Sequence, residues 1–243
     1  MTFWEHLEEL RQCLIRILIA TLVCTIVVFF FYEPIFQLIF YPSHAEFPTF
    51  GFISKWVNSF HIESLQLINT GIANQFLVHL RVSLCVGLIC VAPYILYVLL
   101  GFISPALYQA ERRMARRLVV GGYALFVCGL LLNYFIIFPF SVMFLGQYHV
   151  SQEIVNMIDL DSYIGMFLML SFLIGLMFEL PLFCVLLSRV GLIDAQMLRQ
   201  FRKHVFVVIL ILAAVITPTG DPFTLMLVAL PIYLLYELSI LII

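Results

Sequence analysis

Charge is what this sequence has least of. Asp, Glu, Lys and Arg make up 11% of its 243 residues, where a soluble domain carries about 25%. Hydrophobic residues reach 64% and the mean hydropathy is +1.12. No single soluble core hides that much apolar surface, so the solvent for most of the chain is lipid.

Chemistry-bearing motifs are missing as well. The six cysteines (Cys13, Cys24, Cys85, Cys90, Cys128 and Cys184) all lie in apolar runs and form no CxxC pair. They read as buried small hydrophobes rather than metal ligands or redox groups. The histidines are scattered, with no two at helical ligand spacing, so no metal site is readable. No Gly-rich nucleotide loop, GxSxG, HExxH or pair of membrane aspartates occurs, which argues against ATP use and intramembrane hydrolysis. No catalytic residue, cofactor or nucleic-acid partner is expected. A cleavable leader is not expected either: signal peptides open basic and carry about 7–15 apolar residues. This chain opens "MTFWEHLEELRQ", and its first apolar run continues to Tyr32.

What is present is a series of long apolar runs. A membrane helix needs about 20 such residues. That ruler predicts an all-α polytopic protein, one membrane domain over 1–243, with six spans at 13–32, 82–100, 118–139, 163–187, 204–216 and 222–243. An even number puts both termini on one side. Ten of the twelve basic residues fall there, and only Lys55 and Arg81 fall opposite. The positive-inside rule therefore predicts cytoplasmic termini.

Two stretches depart from the ruler. The fifth run, "HVFVVILILAAVI", has 13 residues and reaches roughly 20 Å against a hydrocarbon core of about 30 Å. Either "RQFRK" before it snorkels, or the bilayer thins, or the helix is short and packed against its neighbours. The loop at 33–81 is strangely apolar and is broken by Pro42 and Pro48, so it is expected to lie on the membrane surface or cap the helices.

Within the fourth span, Glu179 stands where no water is expected, about 12 Å from the end of the run. Charged residues at mid-membrane cost about 2.5–3.5 kcal/mol on insertion scales. That cost falls if the acid is neutral or finds a partner. Ser171, Gly175 and Glu179 recur at i, i+4 and i+8, a small-and-polar stripe of the kind that admits another helix closely. Pro181 lacks an amide and crowds the carbonyl of Met177, so a kink is expected beside it. The stripe reads either as an interhelical hydrogen-bonding seam or as a polar recess.

A second polar place lies near the N-terminus. "HLEELR" puts Glu9 on the same helix face as Glu5, with Glu8 beside them, and "FISPALYQAERR" puts Glu111 before two arginines. These acids either pair locally, Glu8 with Arg11 or Gln12 and Glu111 with Arg112 or Arg116, or together capture a cationic ligand. A guanidinium would fit best, because it binds carboxylate bidentately.

"HLEELR", "FISPALYQAERR", "FELP" and "ITPTGDPFTLMLVALPIYLLYE" follow one another in this order. The chain thereby resembles the TatC family, the multi-spanning receptor subunit of the twin-arginine protein translocase, over essentially its whole length. The resemblance implies six spans in a concave bundle with short fifth and sixth helices, in the cytoplasmic (inner) membrane. It implies that Glu9 and Glu111 receive the paired arginines of a signal peptide on a folded cargo, flanked by His6, Leu10, Arg11, Phe102, Pro105, Leu107 and Tyr108. Glu179 would line the concave face, with Ser171 and Gly175, against single-span TatA and TatB partners. Self-association within the complex and drive from the proton gradient are further implications. Pro42, Pro181, Asp221 and Pro231 would mark turns and kinks. No polar tail follows Ile243, so the native chain is expected to continue. A proton-coupled secondary transporter with Glu179 as relay is the alternative, though the two halves show no matching broken helices.

Overall fold

The computed structural model describes residues 3–44, 46–54, 66–103, 112–148, 157–217 and 220–243. In order, the helices are α1 (Phe3–Phe30), α2 (Tyr32–Phe40), α3 (Pro48–Ser54), α4 (Asn74–Ile103), α5 (Arg112–Leu132), α6 (Phe138–Gln147), α7 (Leu160–Met177), α8 (Leu180–Arg189), α9 (Ala195–Ile216) and α10 (Pro222–Ile242). Two short strands, β1 (Leu67–Ile68) and β2 (Ile158–Asp159), pair in parallel.

Among the described residues, five helical stretches are long and apolar enough to cross a membrane: Trp4–Phe30, Asn74–Phe102, Leu118–Gln147, Leu160–Arg189 and Pro222–Ile242. They contain the first four and the sixth predicted spans almost whole, and extend past the first four. The excess is physical: hydropathy marks the lipid slab, whereas backbone hydrogen bonding carries a helix on into water. The fifth predicted span is not among the five. Helix α9 has 22 residues, or about 33 Å, because the polar turns around Arg199, Arg202 and Lys203 are helical too. With α10, at 21 residues, it is shorter than the first four stretches. Contacts of His6 with Phe102, Gly122 with Glu179 and Cys184 with Ser239 bring the start of α1 and the end of α10 to one end of the bundle.

The third span is α5 and α6 joined through a π-helical turn, Asn133–Ile137. The fourth is α7 and α8, interrupted at Phe178 and Glu179. There the Glu179 amide donates to Leu176 three residues back, and Pro181, which has no amide, occupies the first turn of α8. Pro231 is buried inside α10 without interrupting it.

At the end opposite the termini, the apolar loop after α1 folds back onto the bundle. Pro42 is buried in a tight turn, Tyr41–Ser43, and Pro48 opens α3. The last carbonyls of α2 would otherwise be orphaned. Tyr134 donates to Leu38 at 2.9 Å, Tyr163 to Ile39 at 3.0 Å and Ser43 to Phe40 at 2.7 Å. Phe47 is fully buried, with its ring 5.5 Å from that of Tyr134. The loop therefore caps the third and fourth spans. Helix α1 lies along α4, where Gly87 allows the backbone of Thr25 so close that a Cβ would meet its Cα at 2.9 Å.

A polar clamp holds the same end. The Thr70 hydroxyl donates to Asp159 at 2.8 Å beside the β1–β2 pair, and Arg81 reaches Asp161 at 2.7 Å. Chiefly through the Thr70 hydroxyl, the Asp159 carboxyl is held below the usual carboxylate range. A depressed value in the folded state means a contribution that is complete above about pH 4 and lost as pH falls through the depressed value. Hydrogen-exchange protection of the β1–β2 amides should thus be flat from neutral pH to about pH 4 and decline below it. Asp159→Asn should remove that decline. An unchanged acid limb in the variant would show that another group governs it.

Candidate functional site

Two polar sites emerge, one at the end where the termini lie and one within the bundle. At the first, α1 projects beyond the apolar slab by the turns that carry "HLEELR". His6 stacks on Phe102 near the end of α4, with ring centroids 4.3 Å apart and planes 16° from parallel. Glu9 and Leu10 are half-buried, whereas Glu5, Glu8 and Arg11 are exposed. Arg11 pairs with Glu8 at 3.1 Å, so of the two local pairings open to Glu8 this is the one made. Glu9 has no ion-pair partner among the described residues. Pro105, Leu107, Tyr108 and Glu111 lie outside the described residues; the segment holding them joins Phe102 and Ile103 to the start of α5.

At the second site Glu179 is 2% exposed, and neither carboxyl oxygen has a hydrogen-bond partner among the described residues. Its neighbour is α5 of the same chain. A Cβ on Gly122 would lie 2.9 Å from Glu179 Oε2 and 2.8 Å from Leu182, so only glycine leaves room for the carboxyl. The contact repeats along the pair. Gly175 receives the Phe126 ring and Gly129 receives the Phe178 ring, each within 2.8 Å of where a Cβ would stand. Asn133 then donates to Ser171 at 2.9 Å. The small-and-polar stripe does admit a helix closely, and that helix is α5. Chemically, Glu179 is an uncommitted hydrogen-bonding group facing Gly122, with Leu182 and Leu96 beside that glycine.

The α5 half of this seam went unnoticed in the sequence, although Gly122, Gly129 and Asn133 share one helix face. Glu237 was missed too. It accepts from Arg202 at 2.6 Å and from Tyr233 at 3.0 Å, tying α10 to α9. An acid late in an apolar run was its signal. Asp221, expected at a turn, is the N-cap of α10 and accepts from the Thr224 amide at 2.7 Å. The six cysteines are unpaired.

The sequence matches the family described as Sec-independent protein translocase protein (TatC) over residues 5–231. It is 34% identical to the Sec-independent protein translocase protein TatC of Blattabacterium sp. subsp. Periplaneta americana, covering 99% of this chain and 94% of that protein. Identity to the TatC of Escherichia coli (strain K12) is 32%, covering 97% and 85%. A crystal structure of the twin arginine translocase receptor TatC in DDM superposes with a TM-score of 0.82 at 33% identity, covering 98% of each chain.

The seam makes a sharp stability prediction. Gly129→Ala places a methyl 2.8 Å from the Phe178 ring, whereas Gly121 has open space around it. Overpacking of this kind costs about 1–3 kcal/mol. Thermal unfolding in detergent should show Gly129→Ala destabilised and Gly121→Ala at or above wild type. Equal melting would remove the close approach as a source of stability.

Proposed function

The chain belongs to the TatC family of Sec-independent protein translocases, and on that premise we propose that it is the receptor for twin-arginine signal peptides. It sits in the cytoplasmic membrane with both termini in the cytoplasm, where ten of its twelve basic residues fall. The observation that carries the reading is the stacking of His6 on Phe102. It supports a surface in which the acidic face of α1 stands beside the end of α4, from which the chain runs on to Glu111. Glu9 is the carboxylate there without an ion-pair partner among the described residues, because Glu8 takes Arg11. Glu9 and Glu111 each accept one guanidinium of the arginine pair. Leu10, Phe102, Pro105, Leu107 and Tyr108 receive the apolar side chains around it, and His6 and Arg11 frame the patch.

Single-span TatA and TatB subunits assemble around the bundle, copies of the chain associate in the complex, and the proton gradient supplies the drive. Glu179 supports partner docking because its carboxyl is buried with no hydrogen bond among the described residues. A polar side chain on an incoming helix would satisfy it. A proton relay has less support, since neither oxygen of that carboxyl meets a hydrogen-bonding group among the described residues.

Binding of a twin-arginine signal peptide and its twin-lysine version to the purified protein tests the receptor role. Losing one charged partner removes about 1.5–3 kcal/mol, so Glu9→Ala and Glu111→Ala should each weaken the arginine peptide about ten- to a hundredfold. Indifference to arginine against lysine, in folded protein, would place recognition elsewhere. For the recess, Glu179→Gln should retain co-purification with single-span partners and Glu179→Lys should lose it. Equal retention in both would end that role.

A further inference from the structure

The wide turn in the third span has a cause in the sequence. Pro139 is buried in the first turn of α6. In an α-helix the residue at 139 would give its amide to the Phe135 carbonyl, four positions back. Proline has no amide, and its ring crowds that carbonyl. The backbone widens instead: Asn133–Ile137 is π-helical, and the Phe138 amide donates to the Asn133 carbonyl, five positions back. The turn lies inside the apolar stretch Leu118–Gln147, where lipid supplies no donor to a carbonyl.

A donor for the Phe135 carbonyl comes from a distant segment. Thr49, in the first turn of α3, gives it the side-chain hydroxyl at 2.6 Å. Phe47, two residues earlier, lies along the Phe135 ring, with centroids 5.9 Å apart and planes 21° from parallel. The same Phe47 ring meets Tyr134 edge-on, and Tyr134 donates to the Leu38 carbonyl. The outer loop thus grips the wide turn at one carbonyl, two rings and one hydroxyl. Of these contacts, only the Thr49 hydroxyl acts on the turn's own backbone.

The width of that turn fixes how α5 faces the fourth span. One residue is about 100° around a helix and 1.5 Å along it. Asn133, the first residue of the turn, donates to Ser171. Gly129 and Gly122 stand four and eleven positions before it on the same face, against Phe178 and Glu179. Without the Thr49 hydroxyl, the Phe135 carbonyl must draw on amides of its own helix. Reaching one changes the turn by a residue and swings Asn133, Gly129 and Gly122 off the fourth span together. We propose that Thr49 is a positioning residue: through the wide turn, the outer loop sets the packing around Glu179, about 20 Å away along α5. The proposal rests on the geometry of the seam, and on neither the receptor role nor partner docking.

The test is a distance measurement by double electron–electron resonance on the purified full chain. Nitroxides are carried on p-acetylphenylalanine at Val120 of α5 and Phe172 of α7, two exposed positions, so the native cysteines stay in place. Thr49→Val keeps the shape of a half-buried side chain and removes its hydroxyl. That variant should add a second population to the single native distance. The shift should reach about 8 Å, the swing of 100° at the surface of a helix about 10 Å across. Thr49→Ser keeps the donor and should retain the single distance. Tyr163→Phe removes another hydroxyl that ties the loop to the bundle, the donor to Ile39, without touching the wide turn, and should retain it too. A native distribution in Thr49→Val, a second population in Thr49→Ser, or an equal one in Tyr163→Phe would each overturn the proposal.

Discussion

The interlock between the third and fourth spans is the contact on which the rest of the structure depends. Lipid tails are as apolar as leucine, so no hydrophobic gain drives one membrane helix against another, and close packing must do it. Here glycines and phenylalanines alternate across the pair: Phe126 into Gly175, Phe178 into Gly129, Glu179 against Gly122. Both partners are irregular helices, one with a π-helical turn at Asn133–Ile137 and the other broken at Phe178 and Glu179. Those irregularities give the seam its register. The fourth span's break puts Phe178 and Glu179 side by side facing α5, and the third span's wide turn carries Asn133 to Ser171.

The two ends of the bundle are held by different means. At the end opposite the termini, side-chain hydroxyls satisfy the final carbonyls of α2, and an aromatic cluster around Phe47 fills the space beneath. A two-residue strand pair and two carboxylate contacts close that end further. At the terminal end, α1 packs chiefly on α4 among the described residues, and the ring contact between His6 and Phe102 locates its acidic turn. The acidic turn of α1 is thus positioned by one helix pair, whereas several elements hold the opposite end.

Buried polar groups left without partners are expensive in any solvent, and lipid offers no water to relieve them. The Glu179 carboxyl and the Asn133 carbonyl are two such groups on one seam. Asn133 spends its amide on Ser171, so its cost is partly met. Glu179 has nothing of the kind among the described residues. Tolerance of that group inside a well-packed seam is the physical argument behind its proposed docking role.

The long apolar helices and the acidic turn around Glu9 could be read from the sequence, because hydropathy and helical spacing are properties of single segments. The Ser171–Gly175–Glu179 stripe was legible for the same reason. Which helix would fill it was not. Gly122, Phe126 and Gly129 become its partner only once α5 and the fourth span lie antiparallel in one register, a relation between distant segments that no single run encodes. The Arg202–Glu237 tie and the hydroxyl caps on α2 escaped for the same cause. A cavity between α2 and α4 is likewise a product of assembly: its aromatic wall comes from segments about 40 residues apart in the chain. Solvent preference is local and survives in the sequence; complementarity between surfaces is pairwise and exists only when the helices have packed.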